Sequence, residues 1–530
     1  MKLISRLTFI LLPFVCSVAW SAATPLRLPA VISAHAMLQA GKPVAIWGWS
    51  EPKATVTVEF KASDGTPRKF TAIAGDDGRW SGQLPAAEAG TTGELAFQTG
   101  GEHLIIADVL VGEVWLCSGQ SNMSYLLNTK GGTPNERTPP ELVAAAAAEA
   151  TAAKGSLRYF AVRGKFTDTP LDDVDGKWFV ANAETVGNCF ALSWNFAVAL
   201  REKLNVPVGV IDSAIGGTAI EPWTPIPDLE ACVVGPANLA RYKQRLDNVK
   251  PESKAKFEAA MAEWTQKNPT PELQRQNLAS KPVLEGGNAN LFPGRLYNGM
   301  IHGLEPYTLR GFTWFQGDGN LGNSNEYSVL VQNLITSWRR RWHDETLPFY
   351  YVEMQNYGKP QEKPVEPNGL SSIRDAQQGA LKLPATDVAT AVDVGIDKPN
   401  YEAHFPNKKP LGQRLAGLAL SHVYGQPGLV NSPALKSFAV EGDKIRLKFE
   451  HADGLRLRGT ELKGFAIRGA EGDWAWAQGR IDGEDILVWN EKIPAPTDVR
   501  YAWAAHPLVS VENRAGLPLR PFRSDTQSLK

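Results

Sequence analysis

Four short stretches of this sequence hold residue types that could do chemistry, and each follows an apolar run. The first is GQSNM, Gly119 to Met123. Ser121 sits just past the strand-like run VLVGEVWLCSG. A serine at a strand-to-helix turn has an exposed hydroxyl, and the turn's own N–H can hold an oxyanion. That setting suits a nucleophile; the plainer alternative is a helix N-cap. Position 123 is Met, so the stretch is not a GxSxG elbow. The second is SAIGGTAIEPW, Ser213 to Trp223. Its paired glycines, Gly216 and Gly217, let backbone approach a ligand and turn N–H groups toward it, or simply make a tight turn. The third is WFQGDGNLG, Trp314 to Gly322, in which Gly317, Gly319 and Gly322 spell the dinucleotide fingerprint G-x-G-x-x-G. Such a unit needs an acid about 20 residues on. Glu353, at the end of the next strand, lies 36 residues past Gly317, which argues against that reading. The fourth is YEAHFPNKKP. Its loop holds His404 with Asp393, Asp397 and Glu402, and a histidine beside carboxylates at a sheet edge serves as a general base. The chain has 8 His. None shows HExxH or paired spacing, so the sequence offers no metal site.

These residues need elements to hold them. From about residue 24 to 108, short alternating runs (KPVAIWGW, TVTVEF, RKFTAIA, GRWSGQL, GELAFQT, EHLIIADVL) are separated by turn residues at roughly ten-residue spacing, which reads as a β-sandwich. The texture changes at Val109. Between 109 and 431, apolar strands (VPVGVIDSA, LRGFTWFQG, LPFYYVEMQ, DVATAVDVG) alternate with amphipathic helices (NFAVALREKL, EYSVLVQNLITSWRRRW, SSIRDAQQGALKL, PLGQRLAGLALSHVYG). That alternation predicts a parallel sheet with helices on both faces. Residues 236–280 are polar and helix-prone and read as an excursion over the sheet. Alternating strands return over 432–530 as a second β-domain. In this frame Ser121, the Gly–Gly pair, the Gln/Asn of the third stretch and His404 fall, in chain order, at successive strand C-termini.

Composition bounds the rest. The chain has 530 residues, 43% hydrophobic and 21% charged, which fits about three globular domains. Lys plus Arg is 55 against 56 Asp plus Glu, a net charge of −1. No overall field draws in nucleic acid or an anionic membrane. Residues 1–23 carry a basic start, a short apolar run and a small-residue site for cleavage near Ala22 or Ala23. They read as a secretory signal, placing the protein in the periplasm or outside the cell. No later run reaches the ~20 apolar residues of a membrane span. Cys16 lies inside the signal. Cys117, Cys189 and Cys232 remain, an odd and widely spaced set that reads as buried small hydrophobes, with one bridge as the alternative. The 16 Trp serve either as sugar-stacking platforms or as core.

The stretches DVLVGEVWLCSGQSNM, VPVGVIDSAIGGTAIEPW, LYNGMIHGLEPYTLRGFTWFQGDGN and AHFPNKKPLGQRLA together resemble the blocks of the sialate O-acetylesterase-like branch of SGNH hydrolases. AMLQAGKPVAIWGWSEP resembles that family's N-terminal β-domain; VRYAWAAHP and NRAGLPLRPFRSD resemble its C-terminal end. The resemblance implies a three-layer α/β/α, flavodoxin-like hydrolase domain with β-sandwich-like domains on either side. It also implies removal of O-acetyl groups from carbohydrate, with no metal or cofactor required. Ser121 matches the nucleophile and His404 the base. The oxyanion donors would be the Ser121 N–H, the N–H of Gly216 or Gly217, and the amide of Gln316 or Asn320. Two departures stand out. The third block usually reads QGESN, and here Asp318 and Gly319 replace Glu and Ser. The last block usually has an Asp two or three residues before its His and a Pro directly after. Here Tyr401 and Glu402 hold the first positions and Phe405 the second. Glu402 is therefore the expected orienting acid, with Asp397 as the fallback, or a Ser–His pair works without one. The partner is an acetylated saccharide. Sialic acid would favour an Arg clamp on its carboxylate, for which Arg295 and Arg374 are candidates, though each is equally plausible as a structural residue. Xylan or xyloglucan would favour Trp and Tyr platforms. A different class of function, sugar binding without catalysis, also fits the β-domains and the Trp content.

Overall fold

A computed structural model describes residues 25–128, 138–270, 273, 282, 292–366, 368–395 and 403–525. The expected signal segment, Tyr401, Glu402 and Asp397 lie outside the described residues. The alternating N-terminal runs form β1 (Met37–Gln39), β2 (Val44–Trp49), β3 (Thr55–Ala62), β4 (Arg68–Ile73), β5 (Arg79–Leu84), β6 (Thr92–Thr99) and β7 (Glu102–Gly119). β4, β3, β6 and the first half of β7 pair antiparallel, while β2 pairs with β5. One face of β3 buries Val56, Val58 and Phe60, the period-2 pattern of a half-covered strand.

β7 runs for 18 residues without a break. Exposure varies along it up to Asp108, and from Val109 every residue is buried. The change of texture at Val109 is thus a change of environment within one strand. Asp108 marks it with φ 54° and is held by Arg158 at 2.6 Å and His35 at 2.5 Å. The apolar residues on both sides of this point form one continuous core. The chain after 431 has a core of its own around Ile445, Leu447, Phe465, Ile467 and Tyr501.

The second half of β7 is the centre of a mixed sheet with β8 (Leu157–Val162), β9 (Gly176–Val180), β10 (Val208–Ala214), β11 (Gly311–Phe315), β12 (Phe349–Glu353) and β13 (Thr386–Thr390). The order is β13-β12-β11-β7-β10-β8-β9, parallel throughout except for β9. Counted by appearance, the parallel strands read 2-3-1-4-5-6, which differs from the flavodoxin-like order 2-1-3-4-5. Here β10 inserts beside β7, and the chain then crosses over to β11. That crossover makes the C-terminal end of β7 the topological switch point, where open α/β sheets bind ligands. The register sets Ala214 and Phe315 level with Gly119 on its two sides.

Helices Ala191–Leu204 and Lys409–His422 pack on each other and on this sheet; Ser324–Arg341 and Gly369–Gln377 form a second packed pair. The polar stretch after 235 forms the helices Gly235–Asp247 and Pro251–Lys267. Among the described residues no helix is long and apolar enough to cross a membrane. The C-terminal strands form two four-stranded sheets and a short pair. Arg374 ties them to the central sheet. Its guanidinium donates to the carbonyls of Met354 and Gln355 after β12, at 2.8 and 2.5 Å. It also donates to those of Ala504 and Ala505, at 2.7 and 2.8 Å.

Candidate active site

The β7 strand delivers Ser121 through a turn that only glycine allows. Gly119 has φ 138°, and a Cβ there would run into the Phe315 carbonyl oxygen of β11. Gln120 N–H bonds that same carbonyl at 2.9 Å. The Gln120 carbonyl then accepts from Met123 and Ser124 N–H at 2.8 and 2.9 Å, closing a turn with half-buried Ser121 on it.

The turn after β10 lies against this one. Ile215 N–H bonds the Gly119 carbonyl at 3.1 Å. A Cβ on Gly216 would sit 3.4 Å from Ser121 Cβ and 3.7 Å from its Cα, whereas one on Gly217 would meet nothing within 4 Å. Of the glycine pair, Gly216 is therefore the one that abuts the serine.

The third block sits behind both turns, and its geometry changes the roles expected of Gln316 and Asn320. Both side chains are fully buried. Gln316 Nε2 donates to the Thr218 carbonyl at 3.2 Å and to Asn320 Oδ1 at 2.9 Å. Asn320 Nδ2 donates to Glu221 Oε2 at 2.9 Å and Asn323 Oδ1 at 3.3 Å. An amide NH2 has two hydrogens, so neither residue has one left for an oxyanion. They brace the 216–221 loop instead: Asn320 Oδ1 also accepts the Ile220 N–H at 2.9 Å. The same packing explains Gly319 where the family has Ser, because a Cβ there would lie 2.6 Å from the Thr218 carbonyl carbon. The amides of Gly317 and Gly319 bond Gln120 Oε1 at 3.2 and 3.1 Å. They are engaged within the protein, so the G-x-G-x-x-G string is a packing motif and not a phosphate cradle.

His404 is half-buried in the loop before helix Lys409–His422. Its neighbour Ala403 is tied to the serine turn, since Asn122 Nδ2 donates to the Ala403 carbonyl at 3.0 Å and Gln355 Nε2 reaches the same oxygen at 3.3 Å. The residue after the serine thus holds the residue before the histidine. Asp393 is engaged by two arginines. It is paired with Arg414 at 2.7 and 2.9 Å and Arg458 at 2.9 Å. Burial alone would raise its pKa, but the two guanidinium groups outweigh that and hold it below the usual carboxylate value.

Lys408 and Glu221 had no sequence signal, and Asp318 had one only as the residue standing where the family block has Glu. Lys408 is 1% exposed. Its ammonium bonds Asn122 Oδ1 and lies 3.4 Å from the Phe405 ring centroid and 5.1 Å from that of Tyr125. Burial pushes its pKa well down, partly countered by Asp318. Asp318 accepts from Gln120 Nε2 at 3.2 Å. Burial pushes its carboxyl up to about 6, against the bond from Gln355 and the charges of Arg374 and Lys408. Glu221, buried behind the glycine loop, accepts from Asn238, Asn320 and Asn323.

Neither arginine is poised as a carboxylate clamp. Arg374 is buried with its donors on backbone carbonyls. Arg295 already holds Asp168 with two nitrogens, at 2.8 and 3.3 Å. Most of the described tryptophans are buried, as core filling requires, while Trp342, Trp474, Trp476 and Trp489 are half-buried. Cys117, Cys189 and Cys232 are free and buried.

The sequence profile of the family described as carbohydrate esterase, sialic acid-specific acetylesterase, matches residues 284–421. The sialate O-acetylesterase of Mus musculus is 28% identical over 534 residues, covering 94% of this chain and 93% of the relative. That of Homo sapiens is 28% identical over 485 residues, covering 86% and 83%. Among solved structures, a carbohydrate acetylesterase from Xanthomonas citri is 30% identical with a TM-score of 0.76; the match covers 95% of this chain and 100% of that one.

Proposed function

This chain belongs to the sialate O-acetylesterase-like family of carbohydrate acetylesterases and is a carboxylic ester hydrolase, and we propose that it works by serine acyl-enzyme chemistry at Ser121. The observation that carries this reading is the Asn122–Ala403 hydrogen bond of 3.0 Å, which seats the His404 loop on the turn that presents the serine. His404 takes the Ser121 proton as Oγ attacks the acetyl carbonyl. The tetrahedral oxyanion is met by the backbone N–H groups of Ser121 and Gly216. His404 then gives its proton to the leaving sugar oxygen as the C–O bond breaks. Water repeats the sequence, releasing acetate and restoring the serine. Glu402 remains the expected orienting acid, with Asp397 behind it. The two packed helix pairs support reading the central unit as a three-layer SGNH domain.

The substrate is an O-acetylated saccharide. A neutral polysaccharide fragment is favoured over a sialic acid, because Arg295 and Arg374 are both engaged within the protein. Tyr357, 44% exposed on the loop after β12, offers an aromatic face for a sugar ring. Residues 1–23 direct export, and N-terminal sequencing of the native protein reads the cleavage point. Sugar binding without catalysis fits less well, since no described tryptophan is exposed.

The test is acetate release by wild type and Ser121→Ala from acetylated xylan, acetylated xyloglucan and a 9-O-acetyl sialic acid. Wild type should release acetate, fastest from the neutral polymers, and Ser121→Ala should fall by a factor of at least about 10³. Undiminished release by Ser121→Ala would overturn the reading.

A further inference from the structure

We propose that Lys408 is a positioning residue, whose buried ammonium fixes the Asn122 amide and through it holds the His404 loop against the Ser121 turn. The inference rests on the Ser121–His404 reading and adds to it. Asn122 is 1% exposed and faces two points of one short segment. Its Oδ1 accepts from Lys408 Nζ, and its Nδ2 donates to the Ala403 carbonyl at 3.0 Å. His404 lies between those two anchors.

The choice of lysine follows from the donor inventory. An ammonium has three donors and no acceptor. It can bond Asn122 only through Oδ1, so it dictates which way the amide faces. That orientation aims Nδ2 at Ala403. Without the ammonium, the amide can turn over and present its oxygen to the Ala403 oxygen, which repels it. Gln355 alone, at 3.3 Å, then holds the carbonyl.

A buried ammonium is expensive to keep. Here the cost is offset by the Phe405 ring face at 3.4 Å, the Tyr125 ring at 5.1 Å and the field of Asp318. Packing alone would be served as well by methionine, and Phe405, which intervenes between His404 and Pro406, covers the charge. A charge kept at such cost, bonded to the neighbour of Ser121 and through it to the neighbour of His404, is best explained by what it orients.

The test compares Lys408→Met, Asn122→Ala, Asn122→Asp and the Lys408→Met/Asn122→Ala double variant in the full chain. Readouts are kcat and KM on p-nitrophenyl acetate, the inactivation rate with a serine-directed organophosphate, and the thermal midpoint. Lys409→Met, which removes an exposed ion pair with Glu149, is the control and keeps wild-type kcat. Misplacing a reacting group by about 1 Å costs up to roughly 10²-fold. Lys408→Met and Asn122→Ala should each lower kcat and the inactivation rate about 10- to 100-fold, with KM within about twofold. The double variant should be no worse than the worse single one, because both act through one amide. The thermal midpoint of Lys408→Met should hold or rise, since a desolvated charge is gone. Asn122→Asp keeps the acceptor for Lys408 but loses the donor to Ala403. It should show the same kcat loss, which keeps the idea testable should Lys408→Met fold poorly. Wild-type kcat in Lys408→Met or Asn122→Asp, or multiplying losses in the double variant, would overturn the proposal. An inert Ser121→Ala beside a fully active Lys408→Met would sink this inference alone. An active Ser121→Ala would sink the reading beneath it.

Discussion

Replacing Asn320 with Ala separates two roles that the sequence alone cannot tell apart. As a direct oxyanion donor, Asn320 would act on the transition state only. Its removal would lower kcat by roughly 10²–10³ and leave folding untouched. The structure instead gives it four internal bonds. Asn320 Oδ1 accepts from Ile220 N–H and Gln316 Nε2, both at 2.9 Å. Its Nδ2 donates to Glu221 and Asn323 at 2.9 and 3.3 Å. Truncation orphans a buried backbone N–H and one hydrogen of Gln316, each worth about 1–3 kcal/mol. Glu221 keeps Asn238 and Asn323, so its loss is partial. The expected destabilisation is about 3–5 kcal/mol, read as a lower thermal midpoint and a lower urea midpoint for the first unfolding transition. Turnover falls as well, because the loop bearing Gly216 is loosened, but the two losses travel together. A drop of 10² or more in kcat with both midpoints unchanged would refute the bracing role and restore the donor role.

Other consequences follow from the same geometry. Gly216→Ala puts a methyl 3.4 Å from Ser121 Cβ, an ordinary contact. It should fold normally yet lower kcat/KM by roughly tenfold by narrowing the space at Ser121. Gly217→Ala, at φ 70° in open space, should instead cost about 1–2 kcal/mol of stability with little kinetic change; thermal melts and steady-state kinetics distinguish the pair. Asp393→Asn breaks the buried pairing with Arg414 and Arg458 and should cost about 3–5 kcal/mol in urea titrations at neutral pH. The folded pKa of Asp393 lies below its ordinary value of 3.8. Its contribution is therefore complete above that value, and the gap from wild type should close as pH falls through the lower folded value. Arg374→Met leaves the carbonyls of Met354, Gln355, Ala504 and Ala505 without their shared donor. It should lower the thermal midpoint without changing the ranking of sialyl against neutral acetyl esters in an acetate-release assay.

Much of the frame was legible in the sequence because periodicity reports burial. The alternating N-terminal runs are strands, the strand–helix alternation is a largely parallel sheet, and the first three chemical stretches follow directly on β7, β10 and β11. The change of pattern at Val109 was legible too, but pattern reports environment and not connection. One strand runs through it, and one core spans it. Order within the sheet was not legible, since β10 takes its place beside β7 through contacts distant in sequence. At the site, spacing marks Ser121, the glycine pair and His404 but cannot say which amide hydrogens are already bonded. That is why the family resemblance could offer an amide of Gln316 or Asn320 as an oxyanion donor. Arg374 read equally as a clamp or a structural residue, because a sequence does not show four carbonyls converging on one side chain. Nothing in the NKK run marks Lys408; only the fold puts one of those lysines inside and the other, Lys409, outside.

The acyl-enzyme itself is the most direct measurement. Wild-type protein mixed with p-nitrophenyl acetate, quenched within one turnover and digested, should carry a single acetyl group on the peptide containing Ser121. The label should decay in step with acetate release and be missing from Ser121→Ala. Steady acetate release with no acetyl on that peptide, or an acetyl that settles on another residue at the turnover rate, would contradict the account.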